Sequence, residues 1–121
     1  MNTYLTIFLC LISSLAISQS YENVEFINQP NNDSLLLVMI SGYKGAEDWH
    51  EFKDLIIKDD SLVQYDLLIY GLNKDLNIND NAINVSNLID DWYNQYYNYF
   101  FTSYSMGGIV TKQYFLNRFK H

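Results

Sequence analysis

One serine in this chain stands in a setting that suits a nucleophile. It is Ser105, in Ser103-Tyr104-Ser105-Met106-Gly107-Gly108, just after the aromatic run Tyr99-Phe100-Phe101. A serine hydroxyl attacks a carbonyl only when something lifts it clear, takes its proton and steadies the charge that follows. A sharp turn from a strand into a helix does the lifting, and needs small residues two places to either side of the serine. Gly107 meets that need fully and Ser103 approximately. The helix that begins after the serine points backbone N–H groups at a developing oxyanion, with Met106 N–H as one donor. A second donor is expected from the turn after the first apolar run, in Val38-Met39-Ile40-Ser41-Gly42-Tyr43-Lys44-Gly45. There Gly42 gives the backbone freedom for an unusual conformation that aims the Tyr43 N–H at the same oxygen. The chemistry these residues fit is acyl transfer.

For two turns so far apart in sequence to meet, strands of one parallel sheet must bring them to the same edge. Leu35 to Ile40 is a continuous apolar run, as in a strand buried on both faces. Glu47 to Lys58 carries Trp49, Phe52, Leu55 and Ile56 at helical spacing. Tyr65 to Leu72 reads as a second strand, and Asn73 to Asn81 as a polar loop. Ala82 to Tyr96 reads as a helix with Val85, Leu88, Ile89, Trp92 and Tyr96 on one face. Tyr97 to Tyr104 reads as a third strand. Met106 to Lys120 closes as a helix, with Lys112, Arg118 and Lys120 in its later part, where the helix dipole favours cations. This alternation predicts an α/β fold, a mainly parallel sheet with flanking helices. Ligands in such sheets bind beyond the carboxyl ends of the strands. Both glycine-bearing turns fall there.

The motifs resemble the first half of an α/β-hydrolase. From about Leu35 to Phe119 the chain is most similar to lipase-like serine esterases, in which one strand ends in His-Gly and the elbow reads Gly-His-Ser-Met-Gly-Gly. The counterparts here are Ser41-Gly42, the strand Asp66 to Leu72, and Ser103 to Gly108. The resemblance implies Ser105 as nucleophile, Tyr43 and Met106 N–H groups as the oxyanion hole, and Gly42, Gly107 and Gly108 as turn glycines. It also implies a small-molecule or lipid ester as substrate, with no metal and no cofactor. The chain departs from the family at Ser41, where His is usual, and at Ser103-Tyr104, where Gly-His is usual.

The family places an acid and then a histidine after the nucleophile. After Ser105 this chain has no Asp or Glu, and its only His is the terminal His121. That residue is expected at the far end of the last helix, away from the strand ends, and His50 is expected to face solvent from the first helix. Two readings follow. Residues 19–121 are the N-terminal part of an α/β-hydrolase domain whose acid and base lie in sequence not present here, or they form a hydrolase-like binding or interaction module without catalysis.

Plainer roles compete at several places. Ser105 would serve as the N-cap of the last helix. A phosphate-cradling turn is disfavoured, since neither the Walker pattern nor Gly-x-Gly-x-x-Gly is present. Asp75-Leu76-Asn77-Ile78-Asn79 opens like a calcium loop, yet Asp80 and Ser86 stand where Gly and Glu are required, so a solvated loop is expected. The tyrosines Tyr93, Tyr96, Tyr97 and Tyr99 read as helix-to-sheet packing. Asn32-Asp33-Ser34 and Asn84-Val85-Ser86 are glycosylation sequons if a eukaryote exports the protein.

The chain has 121 residues, 49% hydrophobic, which suits one globular domain. Its net charge of −7 disfavours nucleic acid and anionic membrane surfaces as partners. The single cysteine, Cys10, lies in an apolar N-terminal stretch, so a processed protein has neither a disulfide nor a cysteine zinc site. That stretch, Tyr4 to Ile17, is shorter than the ~20 residues a spanning helix takes. It reads as the core of a signal peptide over residues 1–18, with Ala16-Ile17-Ser18 before cleavage at Gln19. A secreted or periplasmic location follows, with an uncleaved membrane anchor as the alternative.

Overall fold

The computed structural model describes residues 23–30 and 34–120. Among the described residues, four strands form one sheet: β1 (Val24–Ile27), β2 (Leu35–Ile40), β3 (Tyr65–Tyr70) and β4 (Asn98–Ser103), in the order β1-β3-β2-β4. Three helices accompany them: α1 (His50–Lys58), α2 (Ile78–Trp92) and α3 (Met106–Arg118). The arrangement is α/β, with β2 parallel to both β3 and β4. The expected mainly parallel sheet is therefore present, with one antiparallel strand, β1, added at its edge.

Burial explains the middle of the sheet. Leu36, Val38, Met39 and Ile40 are wholly buried because helices cover both faces of β2. Leu36, Val38 and Ile40, with Leu68 and Tyr70 of β3, pack against Ala82, Val85, Leu88 and Ile89 of α2 and against Val110 and Tyr114 of α3. Met39, Leu67 and Ile69 point the other way and pack against Trp49 and Ile56. Side chains alternate across a strand, so an uninterrupted apolar run is what a sheet covered on both faces demands.

Several boundaries differ from those expected. The first helix begins at His50, after a 3₁₀ turn over Gly45–Trp49. Of its four-residue apolar stripe only Trp49 and Ile56 are buried, while Phe52 and Leu55 stay 48% and 66% exposed. The second helix begins at Ile78, because the Asn77 side chain caps it by accepting the Asp80 N–H at 2.8 Å. That helix stops at Trp92, which is exposed; Tyr96 lies beyond it and is buried through a hydrogen bond from its hydroxyl to Asp66. β3 ends at Tyr70 and α3 at Arg118, each two residues early.

β1 is not evident in the sequence, since Val24-Glu25-Phe26-Ile27 is short and carries a charge. Its pairing with β3, from Val24↔Tyr70 to Ile27↔Leu67, makes it a strand. Lys53 of α1 adds an ion pair to Glu25 at 3.1 Å. The Gln29 N–H donates to buried Asp66 at 2.7 Å and ties the segment after β1 to β3.

The stretch that opens like a calcium loop is a turn and a helix cap. Asp75 N–H donates to Asn73 Oδ1, and among the described residues no three His, Cys, Asp or Glu side chains converge. The sequon residue Asn84 lies within α2, its amide donating to the Tyr70 hydroxyl at 3.4 Å. Among the described residues no helix is long and apolar enough to cross a membrane. The signal segment with its cleavage position, Cys10, the Asn32 sequon and His121 lie outside the described residues.

Candidate active site

The order of strands brings the two turns together. From β2 the chain passes to β3 on one side, then crosses back so that β4 pairs on the other side of β2. The side on which successive strands are added thus reverses at β2 while all three strands run parallel. In open α/β sheets such a switch point is where ligands bind, in the crevice beyond the carboxyl ends of the strands. Ile40 and Ser103 are register partners there, and Tyr104 N–H carries the ladder one step further to the Ile40 carbonyl at 3.0 Å. The next residues on each side are Ser41-Gly42-Tyr43 and Ser105-Met106.

Ser105 adopts φ 54°, ψ −127°. Gly107 N–H donates to the Tyr104 carbonyl at 2.9 Å, which closes a turn over residues 104–107 with Ser105 first of its two central positions. Those angles are those of a type II′ turn, whose first central position is normally given to glycine. A residue with a Cβ held there costs roughly 1–3 kcal/mol. No compensation comes from helix capping, because the Ser105 side chain makes no cap hydrogen bond to α3. The plainer role of N-cap is therefore not the one this hydroxyl takes.

Turn geometry also sorts the amide donors. Gly107 and Gly108 N–H groups are engaged by the Tyr104 and Ser105 carbonyls, at 2.9 and 3.0 Å. Met106 N–H has no acceptor among the described residues and stands at the positive end of α3. Its side chain is half-buried against the core shared by α2 and α3. On the β2 side, Gly42 N–H donates to Asp48 Oδ2 at 2.9 Å, and Gly45 N–H donates to the Gly42 carbonyl at 3.1 Å. Tyr43 N–H likewise has no acceptor among the described residues.

The glycines divide by what surrounds them. A Cβ on Gly107 would fall on the Ile40 carbonyl oxygen and lie 2.7 Å from that of Ser41, so α3 reaches β2 only through a glycine. A Cβ on Gly42 would stand 3.2 Å from both Ser105 Cβ and Asp48 Oδ2. Gly42 is thus favoured by close approach and not by conformation. The positive φ in this loop belongs to Gly45, at 70°, which corrects the expectation placed on Gly42. At Gly108 a Cβ would meet only Ser103 Oγ, at 3.8 Å, so that site does not need glycine.

Gly42, Tyr43, Lys44, Asp48, Tyr104 and Ser105 line one open depression of about 270 Å³. Tyr43 and Tyr104 are each about half exposed at its rim, and the Tyr104 ring meets Trp49 edge-on at 6.3 Å. Ser41, where the resembled family has His, is wholly buried and donates its hydroxyl to the Tyr70 carbonyl at 3.1 Å. Asp48 was not singled out in the sequence; an acid six residues after a turn glycine is too common a spacing to do so. His50 is exposed and borders a separate depression with Glu47, Glu51 and Phe52. Among the described residues no histidine stands at Ser105.

Compared with known proteins, the chain matches no family model, no curated protein and no solved structure.

Proposed function

We propose that this chain carries the nucleophile of a serine ester hydrolase of the α/β-hydrolase type. The observation that carries the reading is Ser105 itself: a side chain held at a glycine position, with its hydroxyl exposed and uncapped. Strain of this kind persists where the surroundings enforce it, and it clusters at reactive sites. Ser105 Oγ attacks the ester carbonyl carbon, and the carbonyl electron pair moves onto its oxygen. Met106 and Tyr43 N–H groups steady that oxyanion. Its collapse expels the alcohol and leaves an acyl-serine, which water cleaves to release the acid. The half-exposed rings of Tyr43 and Tyr104 suit a small-molecule or lipid ester with an apolar part. A serine that keeps its proton is a poor nucleophile. The base and its acid partner therefore come from outside the described residues.

The protein isolated from its own host is expected to react with a fluorophosphonate probe at Ser105. Ser105→Ala is expected to abolish that labelling together with hydrolysis of a short-chain aryl ester. Hydrolysis that survives the alanine substitution would remove the assignment. A second reading, a hydrolase-like binding module, is favoured by the lack of a histidine at Ser105 among the described residues. A wild-type serine that stays unlabelled, in a protein that does not hydrolyse esters, would decide for it.

A further inference from the structure

Resting on the reading of Ser105 as nucleophile, we infer that Asp48 is a positioning residue that decides which amide of the β2 loop is left for the oxyanion. Its Oδ2 takes the Gly42 N–H at 2.9 Å. The carboxylate and Ser105 flank the same point, since a Cβ on Gly42 would stand 3.2 Å from Asp48 Oδ2 and from Ser105 Cβ. Asp48 is itself held in place. It sits in the 3₁₀ turn Gly45–Trp49, and the next residue, Trp49, is buried among Met39, Leu67 and Ile69. With Gly42 N–H engaged and Gly45 N–H turned back onto Gly42, the Tyr43 N–H keeps its freedom beside the serine. Ser41 does not do this work: its buried hydroxyl donates to the Tyr70 carbonyl, and the Gly42 N–H goes to Asp48 instead.

Charge is the disadvantage of this arrangement. A carboxylate next to a developing oxyanion repels it, and strongly so where water is thin. The positioning role needs only an acceptor for Gly42 N–H, and the neutral side chain of Asn provides one. Asp48→Asn and Asp48→Ala therefore separate the hydrogen bond from the charge.

The test is the rate at which a fluorophosphonate labels Ser105 in protein made by its own host, with exchange of the Gly42 amide and urea unfolding measured alongside. Loss of one oxyanion donor lowers turnover by roughly 10²–10³ in a model enzyme, so a mis-set donor in Asp48→Ala is expected to slow labelling at least ~10-fold. Asp48→Asn is expected to recover the wild-type rate or exceed it, with the Gly42 amide protected in both the wild type and the Asn variant. Labelling of the Ala variant at the wild-type rate would overturn the role of Asp48, as would an Asn variant as slow as Ala or an unprotected Gly42 amide in the wild type. If the Ala variant does not fold, the Asn rate and the amide exchange decide. Those outcomes leave Ser105 as the nucleophile. Only an unlabelled wild-type serine removes both readings together.

Discussion

At Ser105 the backbone and the side chain make opposite demands. The turn wants glycine there, because φ 54° crowds any Cβ against the backbone. Ser105→Gly is therefore expected to stabilise the protein by about 1 kcal/mol in urea unfolding, while removing the proposed nucleophile. Ser105→Ala keeps the Cβ and deletes only an uncapped hydroxyl, so its stability is expected to stay within ~0.5 kcal/mol of wild type. Loss of a working N-cap instead costs ≈ 0.5–2 kcal/mol. A drop of that size in the alanine variant would show that the hydroxyl does cap α3. Ser34 is the other non-glycine residue with positive φ among those described, at 67°, but it lies away from the strand ends that form the crevice.

Two adjacent glycines of α3 show how an element is seated. Gly107 lets the first turn of α3 touch the end of β2, with the Ile40 and Ser41 carbonyls occupying the space of a Cβ. Backbone atoms cannot swing aside as a flexible side chain does. Gly107→Ala is expected to destabilise by roughly 1–3 kcal/mol, as overpacking does, and Gly107→Val by more. Gly108 has room, so Gly108→Ala is expected to be neutral or stabilising by up to about 1 kcal/mol through helix propensity. Equal losses at the two positions would mean that the contact of Gly107 with β2 is not what distinguishes them. At its other end, α3 is fastened to α2 by Arg118, which pairs with Asp90 at 2.8 Å and lies 5.7 Å from the centre of the Tyr114 ring. Both charged groups are partly exposed, so this pair steers packing more than it stabilises.

Across the whole molecule, tyrosines join the helices to the sheet on the α2–α3 side. Burial pushes the phenols of Tyr93, Tyr99 and Tyr114 above the ordinary tyrosine value near 10, and for the last two the nearby Arg118 charge partly opposes this. A phenol raised in the folded state holds its proton longer than in the unfolded chain. The stability it contributes is fully present below about pH 10 and is lost as the pH rises through the folded value. Unfolding midpoints are expected to be flat up to that point and to fall beyond it. Tyr114→Phe, which removes an ionising group and keeps the ring against Phe101 and Phe115, is expected to soften that fall. An unchanged alkaline limb in this variant would place the sensitivity elsewhere. Charge on this scale is uneven as well. The last of the 14 acidic residues is Asp91, so β4 and α3 carry only Lys112 and Arg118 as charges, with Lys120 just beyond the helix.

Sequence alone determined the elements that bury themselves completely or turn sharply. Leu35–Ile40 and most of the stretch read as Tyr65 to Leu72 were legible because a strand covered on both faces is apolar at nearly every position, with buried Asp66 of β3 as the exception. The turn at Ser105 was legible because a strand, small flanking residues and a helix are a local requirement. Partial burial left weaker marks. β1 has no apolar run, since its strand character comes from pairing with β3, and the stripe Trp49, Phe52, Leu55, Ile56 did not reveal that only two of the four meet the sheet. The order β1-β3-β2-β4 lay beyond any local pattern. It depends on which side of β2 each crossover lands, and that choice alone sets Gly42 against Ser105. Asp48 follows from the same fact: its contact with the Gly42 amide exists because a 3₁₀ turn folds back over the end of β2, and residue spacing does not encode that return.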